Sequence, residues 1–132
     1  MNARVLRLVL AGIVLLSLAI PAWAHHSFAA AFDKDKPVTI KGVLTEIRLE
    51  NPHSWFYVEV RDGGKVEKWA FEAGTPSGMI RNGFKPNTIK TGTEVTVKAI
   101  HARDASQNMG LLREIITPDG KSYATFGTSG DK

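Results

Sequence analysis

The stretch Val38–Leu49 limits the fold more than any other part of the chain. Its apolar residues alternate with polar ones, as in a half-buried strand. The alternation then changes phase: Val38 and Ile40 share one face, whereas Val43, Ile47 and Leu49 share the other. The change falls at Gly42, and a glycine at a phase change predicts a β-bulge or sharp bend. A long strand that bends can pair with different neighbours along its length, which is how curved sheets close.

Shorter strands follow. Ser54–Arg61 places Phe56, Val58 and Val60 opposite Trp55, Tyr57 and Glu59. Asp62-Gly63-Gly64 predicts a tight hairpin turn, because these residues tolerate positive φ. Val66–Glu72 puts Trp69 and Phe71 on one face. Thr75-Pro76 predicts a short helix, with Thr as N-cap and Pro at the first helical position, ending near Gly83. Glu94–Ile100 and Leu111–Thr117 predict two more strands around the polar loop Ala102–Gly110, and Lys121–Phe126 a short sixth. Three strands, a short helix and two strands predict an all-β domain, an OB-fold-like five-stranded open barrel. A small sandwich or another open barrel competes. The expected core is Val38, Ile40, Val43, Ile47, Phe56, Val58, Val60, Trp69, Phe71, Ile80, Val95, Val97, Leu111 and Ile115.

The first 24 residues read as a secretory signal peptide. Arg4 and Arg7 precede the uncharged run Leu8–Ile20, and Pro21-Ala22-Trp23-Ala24 offers small residues at the cleavage positions. An uncleaved anchor needs about 20 apolar residues, and Pro21 ends this run early. Cleavage is expected after Ala24, with no membrane segment afterwards and a periplasmic or secreted location. The expected organisation is signal peptide 1–24, lead-in arm 25–37, barrel 38–126 and flexible tail 127–132. No cysteine occurs among the 132 residues, so disulfides, zinc–thiolate sites and thiol nucleophiles are excluded. All 13 acids lie beyond the leader, which carries only two of the 17 Lys and Arg residues. The remainder is close to neutral, which argues against nucleic acid as a partner.

Several strings stand out: Ala24-His25-His26-Ser27-Phe28-Ala29-Ala30 with Phe32-Asp33, Lys36-Pro37-Val38-Thr39, Asn51-Pro52-His53-Ser54-Trp55, Trp69-Ala70-Phe71-Glu72 and the Lys-Thr-Gly-Thr-Glu-Val turn at 90–95. Together they resemble a family of small exported bacterial proteins, domain of unknown function 6152. The resemblance spans essentially the whole mature chain. It implies an exported, OB-like all-β domain and carries no activity.

The four histidines are His25, His26, His53 and His101. Cleavage after Ala24 frees an α-amine next to the His25 imidazole, and the two can chelate one metal ion. A second imidazole then completes a histidine brace. A nitrogen-only site favours copper(II). The expected metal ligands are His25 and His53, with His26 or His101 as a weaker further ligand. A polar terminus, a turn residue and a solvated strand end account for the same histidines without metal. Trp55 and Tyr57 form an aromatic strand face, and Trp55 is expected to pack under Phe28 or Phe32. Ser27, Ser54 and Ser77 lack a nucleophile-elbow context, and Glu46, Glu50, Glu59 and Glu72 read as a solvated face. No catalytic site is expected, so the chain does not read as an enzyme. The function expected from sequence is a non-catalytic exported binding module, with copper(II) as candidate ligand. The alternative is a metal-free accessory domain that binds a periplasmic protein or small molecule through the aromatic face.

Overall fold

The computed structural model describes residues 2, 5 and 30–124. The chain divides into two compact units, Met1–Ala31 and Phe32–Lys132, and every strand described lies in the second. Apart from residues 2 and 5, the expected leader lies outside the described residues, as do residues 25–29 and the tail 127–132.

The elements run β1 (Phe32–Arg48), β2 (Trp55–Asp62), β3 (Lys65–Glu72), α1 (Pro76–Arg81), β4 (Glu94–Ala102), β5 (Met109–Ile116) and β6 (Ser122–Ala124). The sheet order is β3-β2-β1-β4-β5-β6, and β3 also pairs with β5. That extra pairing turns five strands into a closed barrel of OB type, with β6 added outside the ring. The seam is parallel and joins Ala70, Phe71 and Glu72 to Met109, Gly110 and Leu111. A Cβ on Gly110 would sit 3.1 Å from both the Ala99 Cβ and the Ile100 carbonyl, and 3.2 Å from the Phe71 ring. A residue without a side chain therefore lets β3, β4 and β5 meet here.

β1 divides its hydrogen bonds between two partners. Its middle, Pro37–Val43, pairs with β4, and its end, Val43–Arg48, pairs with β2. The irregularity in the β1–β2 ladder lies between Leu44 and Glu46, three residues beyond Gly42. The bulge expected at Gly42 is thus corrected to Thr45, whose hydroxyl donates to the Tyr57 carbonyl at 3.2 Å. Val38, Ile40 and Leu44 face the core before the bulge, and Ile47 and Leu49 after it. Val43, expected in the core, gives way to the fully buried Leu44. Gly42 has another task. A Cβ there would lie 2.4 Å from the Glu59 carbonyl oxygen and 2.8 Å from Val58 Cγ1. The β2 backbone crosses so close to β1 that only glycine fits.

β1 also begins at Phe32, inside the expected arm. Phe32 pairs with Ala102, and the ladder resumes at Pro37 after an irregularity that takes up the charged run Asp33–Lys36. Gly63 and Gly64, with φ of 53° and 85°, make the two-residue turn between β2 and β3. Thr75 caps α1, its hydroxyl accepting from the Gly78 N–H at 3.1 Å. Ile80 is a second correction: it is 52 % exposed, and Met79 beside it is buried. A one-and-a-half-turn helix offers a single inward position, and Phe84 and Ile89 supply the rest after the helix has ended. Phe84 stands edge-on to Phe56 and Tyr123, at 5.4 and 5.9 Å between ring centres. Full burial of side chains such as Phe56, Phe71 and Phe84 contributes about 1.5–3 kcal/mol each.

The crossing at Gly42 leads to a direct test. Gly42→Ala is expected to destabilise the barrel by at least about 1–3 kcal/mol, the usual cost of forcing an atom into a packed site. Gly42→Val is expected to cost more. Urea unfolding of the variants checks this, and an unchanged midpoint for Gly42→Ala would show that the strands do not cross so closely.

Candidate functional site

The outer face of β1, β2 and β3 brings together Glu46, Arg48, His53, Trp55, Tyr57 and Glu72. Its arrangement follows from one buried residue. Ser54 is fully buried, and its backbone is fixed on both sides: its N–H donates to the Gly74 carbonyl at 3.0 Å, and its carbonyl accepts from Ala73 N–H at 2.8 Å. Extended chain alternates its side chains, so an inward Ser54 turns His53 and Trp55 outward together.

The turn at Gly63-Gly64 then sets their neighbours. It pairs Asp62 with Lys65, and counting back along both strands places Glu72 opposite Trp55 and Ala70 opposite Tyr57. On the other side, β1 brings Arg48 opposite Trp55 and Glu46 opposite Tyr57. One row across the sheet is therefore Arg48, Trp55 and Glu72, and the next is Glu46, Tyr57 and Ala70.

Each charged group in these rows is held. The Arg48 guanidinium lies 5.0 Å from the centre of the Tyr57 ring, a cation–π distance. Arg48 also grips Glu46 through two N–H groups, at 2.6 and 3.3 Å. This hydrogen bond, helped by the positive charge, keeps the Glu46 carboxyl below its usual range even though desolvation acts against it. His53 donates from Nδ1 to the Glu72 carboxylate, the imidazole being 42 % exposed and the carboxylate 17 %. With Nδ1 so engaged, Nε2 is the ring nitrogen left for another partner. Trp55 and Tyr57 are both half-buried. Among the described residues Trp55 has neither a ring partner nor a hydrogen bond to its indole N–H. A shallow groove of about 260 Å³ runs beside Tyr57, lined by Thr45, Glu46, Val58, Glu59, Lys68 and Trp69.

The other expected metal ligands do not join this cluster. His25 and His26 lie outside the described residues. His101 packs edge-on against Trp69, 5.4 Å between ring centres, and its Nδ1 donates to the Ala102 carbonyl at 2.8 Å. His53 and His101 thus have separate partners. No three His, Asp or Glu side chains among the described residues are grouped to hold a metal ion. Phe28, one expected cover for Trp55, lies outside the described residues, and Phe32 is buried in the strand that meets Ala102. Sequence reasoning passes over Arg48 and reads Glu72 as part of a solvated face, whereas its carboxylate is 17 % exposed and holds His53. The hairpin count from Gly63-Gly64 is the signal that finds Glu72; Arg48 needs the bulge at Thr45 to be known first.

The family model now settles one point. It matches residues 12–112 and describes a family of unknown function, DUF6152. The chain belongs to this family. The matched stretch holds His25, His26, His53 and His101, together with Arg48, Trp55 and Glu72. No curated protein and no solved structure matches the chain.

Within the DUF6152 domain, Ser54 carries a test of this geometry. Its buried hydroxyl has no hydrogen-bond partner among the described residues, and an unpaired buried polar group costs about 1–3 kcal/mol. Ser54→Ala is therefore expected to leave stability unchanged or raise it. Thermal melting reads the outcome, and a fall of several degrees would mean that the hydroxyl is paired.

Proposed function

We propose that the protein is an exported, non-catalytic binding module that holds its ligand on the outer β1–β2–β3 face, centred on Trp55. Export rests on the three-part leader in residues 1–24. The binding face rests on one observation: a half-buried tryptophan with no ring or side-chain hydrogen-bond partner among the described residues, flanked by Arg48 and Glu72 and followed along the chain by Tyr57. Packing alone does not explain why charged groups surround an indole on the outside of a barrel. The strand-two and strand-three face is also where OB-folds receive their ligands, which supports the assignment by analogy of fold.

A second reading keeps the copper(II) site expected from the sequence, with His53 as its described ligand. It draws support from the Glu72 carboxylate on Nδ1. A histidine whose second nitrogen is held by a carboxylate is the usual form of a metal ligand, oriented and made more basic. This reading requires the His25 amine and imidazole to join His53.

Two measurements separate these readings. Trp55→Ala is expected to cost about 1–2 kcal/mol, because only part of the indole is withdrawn from water. A core tryptophan truncation costs about 3–5 kcal/mol, and a loss of that size would make Trp55 structural and end the first reading. For copper, the cleaved protein is compared with one carrying an extra residue before His25. A true brace loses orders of magnitude in affinity when the amine enters a peptide bond; equal affinity, or no effect of His53→Ala, removes the second reading.

A further inference from the structure

We infer that the ligand of this face is a neutral oligosaccharide, with one sugar ring stacked on Trp55 and its hydroxyls held by His53 and Glu72. The inference rests on the binding-face reading above and names its ligand class.

The argument starts from charge. Across the face, Arg48, Arg61 and Lys68 stand among Glu46, Glu59 and Glu72; Arg48 is paired with Glu46 and Arg61 with Glu59. Lys98 with Glu114, and Lys41 of β1 with Glu94 of β4, are likewise paired. A surface of interspersed opposite charges has no long-range pull on a polyanion or a polycation. Nucleic acid, anionic lipid and strongly charged peptides are disfavoured for that reason. An apolar peptide is disfavoured by the rim, since its burial would strip water from Glu72 and His53 and give nothing in return.

The groups around Trp55 instead suit a ring that is apolar on its face and hydroxylated on its edge. The indole supplies a flat apolar surface and one N–H donor. With Nδ1 on Glu72, His53 has Nε2 left for a ligand, and Glu72 offers the oxygen that His53 does not use. Because Nδ1 is tied to Glu72, the imidazole is held in one orientation before any ligand arrives. Such a preorganised polar pair beside an aromatic plane loses little freedom on binding. The groove beside Tyr57, about 260 Å³, falls below the ~300–1,000 Å³ of pockets that engulf a ligand. It has room for one further ring, so the site matches a chain of sugars lying across the surface.

The test uses nitrogen-15-labelled full-chain protein, whose three indole N–H signals belong to Trp23, Trp55 and Trp69 and are assigned with Trp23→Phe and Trp55→Phe. Cellotetraose, chitotetraose and maltotetraose are titrated, with sucrose as a compact control. The expected result is a saturable shift of the Trp55 signal with at least one tetrasaccharide, at an affinity in the millimolar range or better (about −4 kcal/mol). Trp69 is 8 % exposed and lines the groove beside Tyr57, so its signal should move less than that of Trp55. His53→Ala and Glu72→Gln should each weaken binding at least about fivefold, roughly 1 kcal/mol, with melting temperatures reported alongside. No saturable shift with any of the three up to about 10 mM, or equal shifts with sucrose, overturns the carbohydrate assignment. If that failure comes with a cheap Trp55→Ala, only the ligand class falls. If Trp55→Ala costs as much as a core truncation, the binding face falls with it.

Discussion

The close crossing of β2 over β1 at Gly42 is the constraint on which the remaining architecture depends. A strand can lend its edges to two neighbours only if it coils, and coiling brings backbones together on the concave side. Here the contact is tight enough that the Glu59 carbonyl occupies the place of a side chain. Before this point β1 belongs with β4; beyond it, β1 belongs with β2. The bulge at Thr45 then restores the inward phase for Ile47 and Leu49. Both devices sit within four residues, and together they let one strand supply two walls of the barrel.

The same alternation that builds the wall also displays the site. Ser54 is pulled inward by its backbone bonds to Ala73 and Gly74, and His53 and Trp55 face outward as a result. The two-residue turn fixes which β3 side chains stand beside them, and the bulge in β1 fixes which β1 side chains do. Shifting either register by one residue would replace Glu72 or Arg48 by an inward residue and dissolve the cluster. The chemistry of the outer face is therefore tied to the same few backbone features that close the interior.

How much of this can be read from the sequence depends on the range of the signal. Gly63-Gly64, Thr75-Pro76 and the alternation of β2 to β5 act locally, and they lead to the correct element order and barrel class. The bulge was misplaced because Gly42 is visible as a glycine, whereas Thr45 carries no mark of its own. A glycine at an inward position removes one apolar residue from the pattern, and the phase then seems to change three residues too early. Phe32–Lys36 reads as an arm because four charged residues sit in a row, although Phe32 is anchored by Ala102 from across the sheet. Met79 and Ile80 are adjacent and equally apolar, so only the docked helix decides which is buried. The partnership of His53 with Glu72 is non-local, but the hairpin turn makes it countable. The Arg48–Tyr57 contact requires the bulge as well and lies beyond any local rule.

The seam between β3 and β5 has a further consequence for how the chain acquires its structure. β1 waits for β4, with Gly42 meeting Val95, and β3 waits for Met109, Gly110 and Leu111. No growing chain that stops short of these residues can close the ring. Until then the hairpin of β2 and β3 stands alone, which is marginal in water, and the apolar row of Val38, Ile40 and Leu44 has nothing to lie against. Pairings so distant along the chain must overcome loop-closure entropy before they gain packing energy. Nearly the whole domain must therefore be made before any of it is stable, and folding begins as a late, collective event rather than a progressive one.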